Sequence, residues 1–194
     1  GVNRYVPHAF SAKPYPDPDC PPHFYANGHD PQYRHFGELM RYLNRMCALI
    51  SDGIRVAPVA MLYHAEAEWT GEYMLNQKPA RILMDNQIDF DILPSDVFIE
   101  VERYKTNLGK ELLVNNRAYK ALIVPYAQFI TVNTAEALID LKNMGFPVIF
   151  IDDLPDGVIN GDNKLLQGLR DCKVVTLDNL IEKLEERAIP EIHI

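Results

Sequence analysis

Short unbroken apolar runs alternate with amphipathic stretches through most of the chain. Val59-Ala60-Met61-Leu62-Tyr63 reads as a buried strand, and Ile88-Asp89-Phe90-Asp91-Ile92-Leu93 as a second one, stopped by Pro94. Between them residues 79–87 have helical spacing, with Ile82 and Leu83 facing inward. Residues 111–114 and 120–125 read as a hairpin-like pair, of which Ala121-Leu122-Ile123-Val124 is the buried member. Residues 134–144 predict a helix closed by Gly145, Val148-Ile149-Phe150-Ile151 another strand, and residues 173–177 the last strand. Asp178 then caps a helix through Glu186, with Leu180, Ile181 and Leu184 inward. Continuous apolar strands separated by helices imply βαβ units, in which crossover helices cover both faces of a parallel sheet.

The first fifty residues have another character. Seven of the fourteen prolines lie in residues 1–31, interleaved with Tyr5, Phe10, Tyr15, Phe24 and Tyr25. Proline fixes φ and biases its predecessor toward extended backbone, so this stretch is neither helix nor inner strand, and it is too aromatic for a solvated linker. A long helix follows, with Asp30 as N-cap and Pro31 at its first position. Phe36, Leu39, Met40, Leu43, Met46, Cys47 and Ile50 form its apolar face, and Gly53 stops it. The expected architecture is therefore α/β: a three-layer, flavodoxin-like parallel sheet in residues 54–194, preceded in residues 1–53 by a proline-rich segment and a long helix.

Composition narrows the functional classes. The 194 residues are 47% hydrophobic and 24% charged, which is ordinary globular usage. A net charge of −8 gives no general attraction to phosphate backbones, so no nucleic-acid partner is expected. No apolar run approaches the ~20 residues that span a bilayer, so no membrane partner is expected. Cys20, Cys47 and Cys172 are too few and too scattered for a disulfide framework or a zinc site, and read as structural thiols. His8, His23, His29 and His35 show none of the strong zinc spacings, so neither a metal nor a cofactor is expected. The chain starts at Gly1 rather than Met and no signal peptide follows; a piece of a longer protein is expected, with the cytoplasm the favoured compartment.

In an open parallel sheet, ligands gather at the carboxyl ends of the strands. After the first strand stands Tyr63-His64-Ala65-Glu66-Ala67-Glu68-Trp69-Thr70-Gly71. Flavin or dinucleotide binding needs a glycine- or hydroxyl-rich loop there, whereas Glu66 and Glu68 would repel phosphate. Carboxylates beside an aromatic plate suit a sugar ring, which has an apolar face and polar edges. The plainer reading is a solvated loop with Trp69 tucked against a neighbour. Pro125-Tyr126-Ala127-Gln128-Phe129 stands where class I glutamine amidotransferases carry a nucleophilic cysteine, and contains no Cys, Ser or Thr. Asp152-Asp153-Leu154-Pro155-Asp156 reads as a turn of solvated carboxylates rather than a cation loop, and Pro125-Tyr126 fails the aspartate requirement of a phospho-acceptor receiver.

Val56 through Gly71 with its Glu-x-Glu-Trp-x-Gly loop, residues 87–94, residues 119–125 and residues 145–152 resemble the middle domain of large glycoside hydrolases. The nearest likeness is to the trimerisation domain of bacterial beta-galactosidases, a glutamine-amidotransferase-like domain without the cysteine; alpha-L-rhamnosidases carry a related one. The resemblance covers roughly residues 56–177. It implies a preceding TIM barrel, whose last strand would be residues 1–10 and whose final loop and helix would follow. Asn3, Tyr5, His8 and Tyr25 would then border the sugar site of the parent. The catalytic carboxylates, ~5 Å apart in a retaining enzyme, would lie outside this chain. The expected function is a non-catalytic accessory or oligomerisation domain of a glycoside hydrolase, with Tyr63, Glu66, Glu68 and Trp69 near a carbohydrate. Its expected partners are a carbohydrate substrate through the parent enzyme and either a second copy or the barrel domain. A small hydrolase acting through Glu66, Glu68 or the Asp152 cluster, and a stand-alone sugar-binding module, remain as alternatives.

Overall fold

The computed structural model describes residues 3–6, 25, 28–53 and 55–185. Two compact units divide the chain, Gly1–Arg55 and Val56–Ile194.

In the first unit α1 spans Tyr33–Ser51. The helix starts two residues later than Pro31 would have it, because Asp30 closes a turn instead of capping. Its Oδ1 accepts from the Gln32 amide at 2.7 Å, and its carbonyl from the Tyr33 amide at 3.0 Å. At the other end the Gly53 amide donates to the Ile50 carbonyl at 3.3 Å. Tyr33, Phe36, Met40, Leu43 and Cys47 form a half-buried line at alternating spacings of three and four, while Leu39, Tyr42, Met46 and Leu49 form a second, exposed line. No residue of α1 is buried.

The second unit is built on five parallel strands: β1 (Val59–Tyr63), β2 (Phe90–Pro94), β5 (Ala121–Val124), β7 (Val148–Ile151) and β9 (Lys173–Val175). They lie in the order β2-β1-β5-β7-β9. The chain therefore moves outward from β1 to one edge, returns past it and continues to the other, which is the doubly wound, flavodoxin-like arrangement. Side chains alternate across each strand. Ala60, Leu62, Leu122, Val124 and Phe150 build one core with α4 (Asp96–Ile99) and α6 (Val132–Asn143). Val59, Met61, Ile123, Ile149 and Ile151 build the other with α3 (Gln77–Asp85) and α7 (Leu180–Glu185). Two helical layers thus enclose the sheet. The short helices α2 (Ala67–Thr70) and α5 (Val101–Tyr104) sit in the connections.

Several boundaries differ from the sequence pattern for local reasons. Pro94 does not stop β2 but ends it, paired with Tyr63; β2 is an edge strand, where a missing N–H is tolerated. The hairpin joins β3 (Leu112–Val114) to β4 (Arg117–Tyr119), not to residues 120–125. Its turn is Asn115-Asn116, both left-handed with φ of 49° and 66°, as a two-residue turn between twisted strands requires. Ala121–Val124 belongs instead to the central sheet, buried on both faces between β1 and β7. Residues 177–179 form a 3-10 turn, so Asp178 does not cap α7. A 3-10 segment also covers Asn163–Leu169.

The Gly145 expectation holds in detail. Gly145 has φ of 80°, its amide donates to the Lys142 carbonyl at 2.9 Å, and the Phe146 amide donates to the Leu141 carbonyl at 3.0 Å, which together make a Schellman closure. One pair of strands escapes the sequence pattern altogether: β6 (Phe129–Thr131) and β8 (Gly157–Ile159), paired in parallel. Phe129 is wedged between two glycines there. A Cβ on Gly71 would meet its ring at 2.8 Å, and one on Gly157 would meet the opposite edge at 2.7 Å.

Candidate functional site

The strand order reverses between β1 and β5, so the segment after Tyr63 leaves the sheet beside the place where such folds bind ligands. It does not run out as a solvated loop. The Ala67, Glu68 and Trp69 amides donate to the carbonyls of His64, Ala65 and Glu66, coiling the segment into α2. This coil separates the two glutamates. Glu66 is half-buried and takes the Ser95 hydroxyl on both carboxylate oxygens at 3.3 Å, while the Ser95 amide donates to the Tyr63 carbonyl at 3.2 Å. Glu66 thus ties the end of β1 to the end of β2. Glu68 is exposed and faces a groove.

The groove encloses about 530 Å³ and is lined by Tyr63, Glu68, Leu75, Asn76, Gln77, Ala80 and Ile92. The register explains why these residues meet. Ile92 pairs with Met61 and Pro94 with Tyr63, so Ile92 and Tyr63 share the sheet face that α3 covers. The start of α3 brings Asn76, Gln77 and Ala80 over that face. Asn76 is fixed, its Nδ2 donating to the Leu62 carbonyl at 3.1 Å. Leu75, Asn76, Gln77, Ala80, Ile92 and Ser95 were not singled out by sequence reasoning. Ile92 carried the one readable signal, an apolar residue in a strand whose neighbours alternate with Asp89 and Asp91.

Trp69 is 80% exposed and lies outside the groove lining. His64 is 5% exposed, and neither ring nitrogen has a hydrogen-bond partner among the described residues. Burial lowers its pKa from 6.5 to about 4, so the ring is neutral at pH 7. Asn3 is exposed and Tyr25 packs edge-on against Tyr33 with ring centroids 4.9 Å apart; both belong to the first unit. His8 lies outside the described residues.

The corner after β5 is closed by hydrogen bonds. The Tyr126 carbonyl accepts from the Met74 amide and the Gln128 amide donates to the Glu72 carbonyl, each at 2.8 Å. Gln128 Oε1 takes the Glu72 amide at 3.1 Å and its Nε2 donates to Asp156 at 3.3 Å. The Tyr126 phenol is pushed above its ordinary pKa by desolvation first and then by Asp156, Asp153 and Glu72, so it stays protonated. After β7, Asp152 takes φ of 69° and Asp153 Oδ1 accepts from the Leu154 amide at 2.7 Å, which makes this cluster a turn. No group of three or more potential metal ligands converges among the described residues.

Cys172 is half-buried beside the amino ends of β7 and β9, and burial raises its thiol pKa above the usual 9.0, against the opposing pull of Lys142. That suppresses the thiolate and with it nucleophilic reactivity. Cys47 lies on α1, and Cys20 is outside the described residues. No helix among the described residues is long and apolar enough to cross a membrane. In comparisons with known proteins, no family model and no curated protein matches the chain.

Proposed function

We propose that this chain is a non-catalytic accessory and oligomerisation domain of a carbohydrate-active hydrolase, contacting sugar through the segment that follows β1. The observation that carries the reading is the division of labour between Glu66 and Glu68. A glycosidase needs two carboxylates facing one bond, one of them free to move protons. Here Glu66 is held by Ser95 and ties two strand ends together, leaving Glu68 as a lone carboxylate at the groove. The corner after β5, latched to residues 72–74 and without a Cys, Ser or Thr, supports the same reading. The exposed Trp69 supports sugar contact, since an indole face stacks on the apolar face of a pyranose. The bare apolar line of α1 supports self-association, because most of a helix's stability comes from packing its apolar face.

Trp69 is the only tryptophan, so its fluorescence reports directly on this region. Titration with methyl galactoside and methyl rhamnoside is expected to give a saturable change at millimolar sugar. No change with either sugar overturns sugar contact at Trp69.

A further inference from the structure

We infer that the groove between β1, β2 and the start of α3 is a binding site for a neutral polyhydroxylated ring, seated on Tyr63 and Ile92 with its hydroxyls turned to Glu68, Asn76 and Gln77. The inference deepens the carbohydrate reading above and rests on it, but it moves the contact from Trp69 to Tyr63 and Glu68 together with Ile92, Asn76 and Gln77, which the sequence did not mark.

Four features select the ligand class. First, the lining contains one formal charge, Glu68, and no Lys, Arg or His, so a phosphate or carboxylate ligand would meet repulsion with no cation to offset it. Second, the polar groups offered are weighted toward acceptors. Asn76 spends an amide hydrogen on the Leu62 carbonyl and keeps Oδ1, and Glu68 contributes two carboxylate oxygens. Hydroxyl groups are the donors that match such a set, and charge-assisted bonds to a carboxylate are the stronger kind.

Third, large apolar side chains are left bare in the same place. Ile92 is 51% exposed, Leu75 46% and Tyr63 39%, which is the surface a C–H face of a sugar ring would cover. Fourth, the walls are pre-formed. Tyr63 and Ile92 are fixed by strand register, and Asn76 by its bond to Leu62, so little ordering opposes binding. The volume of about 530 Å³ falls within the ~300–1,000 Å³ of small-molecule sites.

The test is a 1H–15N NMR titration of the 194-residue chain with methyl β-D-galactopyranoside and methyl α-L-rhamnopyranoside, with sodium phosphate and tetramethylammonium chloride as separate arms. The expected result is saturable shifts with at least one sugar, concentrated at Tyr63, Glu68, Asn76, Gln77 and Ile92. Glu68→Gln and Ile92→Ala should each weaken binding by about tenfold, the scale of one charged hydrogen bond or one apolar contact removed. Trp69→Ala should leave it within about twofold, and spectral dispersion of each variant verifies its fold. Binding abolished by Trp69→Ala and untouched by Glu68→Gln overturns the groove assignment while leaving the carbohydrate reading intact. Tighter binding of phosphate or tetramethylammonium than of either sugar overturns the ligand class. The absence of saturable shifts with both sugars overturns both proposals.

Discussion

His64 shows how one buried side chain ties stability to pH. The folded ring is neutral because burial lowers its pKa from 6.5 to about 4, whereas the unfolded chain takes up a proton near 6.5. Between those values the unfolded state binds a proton that the folded state refuses, so stability falls as the pH drops from above 6.5 to about 4. The loss amounts to about 3 kcal/mol if no other group compensates. His64→Leu should flatten that limb of a denaturant-midpoint profile between pH 7 and 4; an unchanged slope would show that other groups set it. Phe129 provides a second residue-level check. Gly157→Ala drives a methyl group into its ring and should destabilise by ~1–3 kcal/mol, and adding Phe129→Leu should recover part of that loss. Urea unfolding of the single and double variants reads both effects.

At the scale of elements, α6 is stabilised at both ends by local chemistry. The Thr131 hydroxyl accepts from the Thr134 amide at 3.3 Å and Gly145 closes the other end. Thr131→Ala should lower stability by about 1 kcal/mol, as loss of an N-cap does, measurable by thermal or urea unfolding. The sequence conveyed some elements and hid others for physical reasons. Val59–Leu62, Ala121–Val124 and Val148–Ile151 were legible because a strand buried on both faces is apolar at every position. The hairpin partner differs from the sequence expectation because Asn115-Asn116 is a weaker signal than Asn-Gly, although it adopts the same left-handed pair. Strands β6 and β8 were invisible because each is three residues long and their pairing joins Phe129 to Gly157, far apart in the chain. The groove was half legible: Tyr63 and Glu68 follow an evident strand, while Ile92, Asn76 and Gln77 arrive only through register and helix placement.

For the whole molecule, the strand order sets where function can reside. The order reverses between β1 and β5, and the groove lies on the other side of β1, where Tyr63 and Ile92 meet the start of α3. The exposed line of α1 leads to a separate prediction. Light scattering should show a species larger than the monomer, and the pair Leu39→Glu and Met46→Glu should return it to monomer, because a charge at a packed apolar position is strongly unfavourable. A wild-type chain that is monomeric at all accessible concentrations would remove self-association from the account. The central claim is that this chain binds carbohydrate without cleaving it. A single NMR time course of the chain with 4-nitrophenyl β-D-galactopyranoside reads both halves, through saturation transfer from protein to sugar and through the anomeric protons of released galactose. The account predicts saturation transfer to the ring protons and no released sugar over days; galactose accumulating in proportion to protein concentration would contradict it.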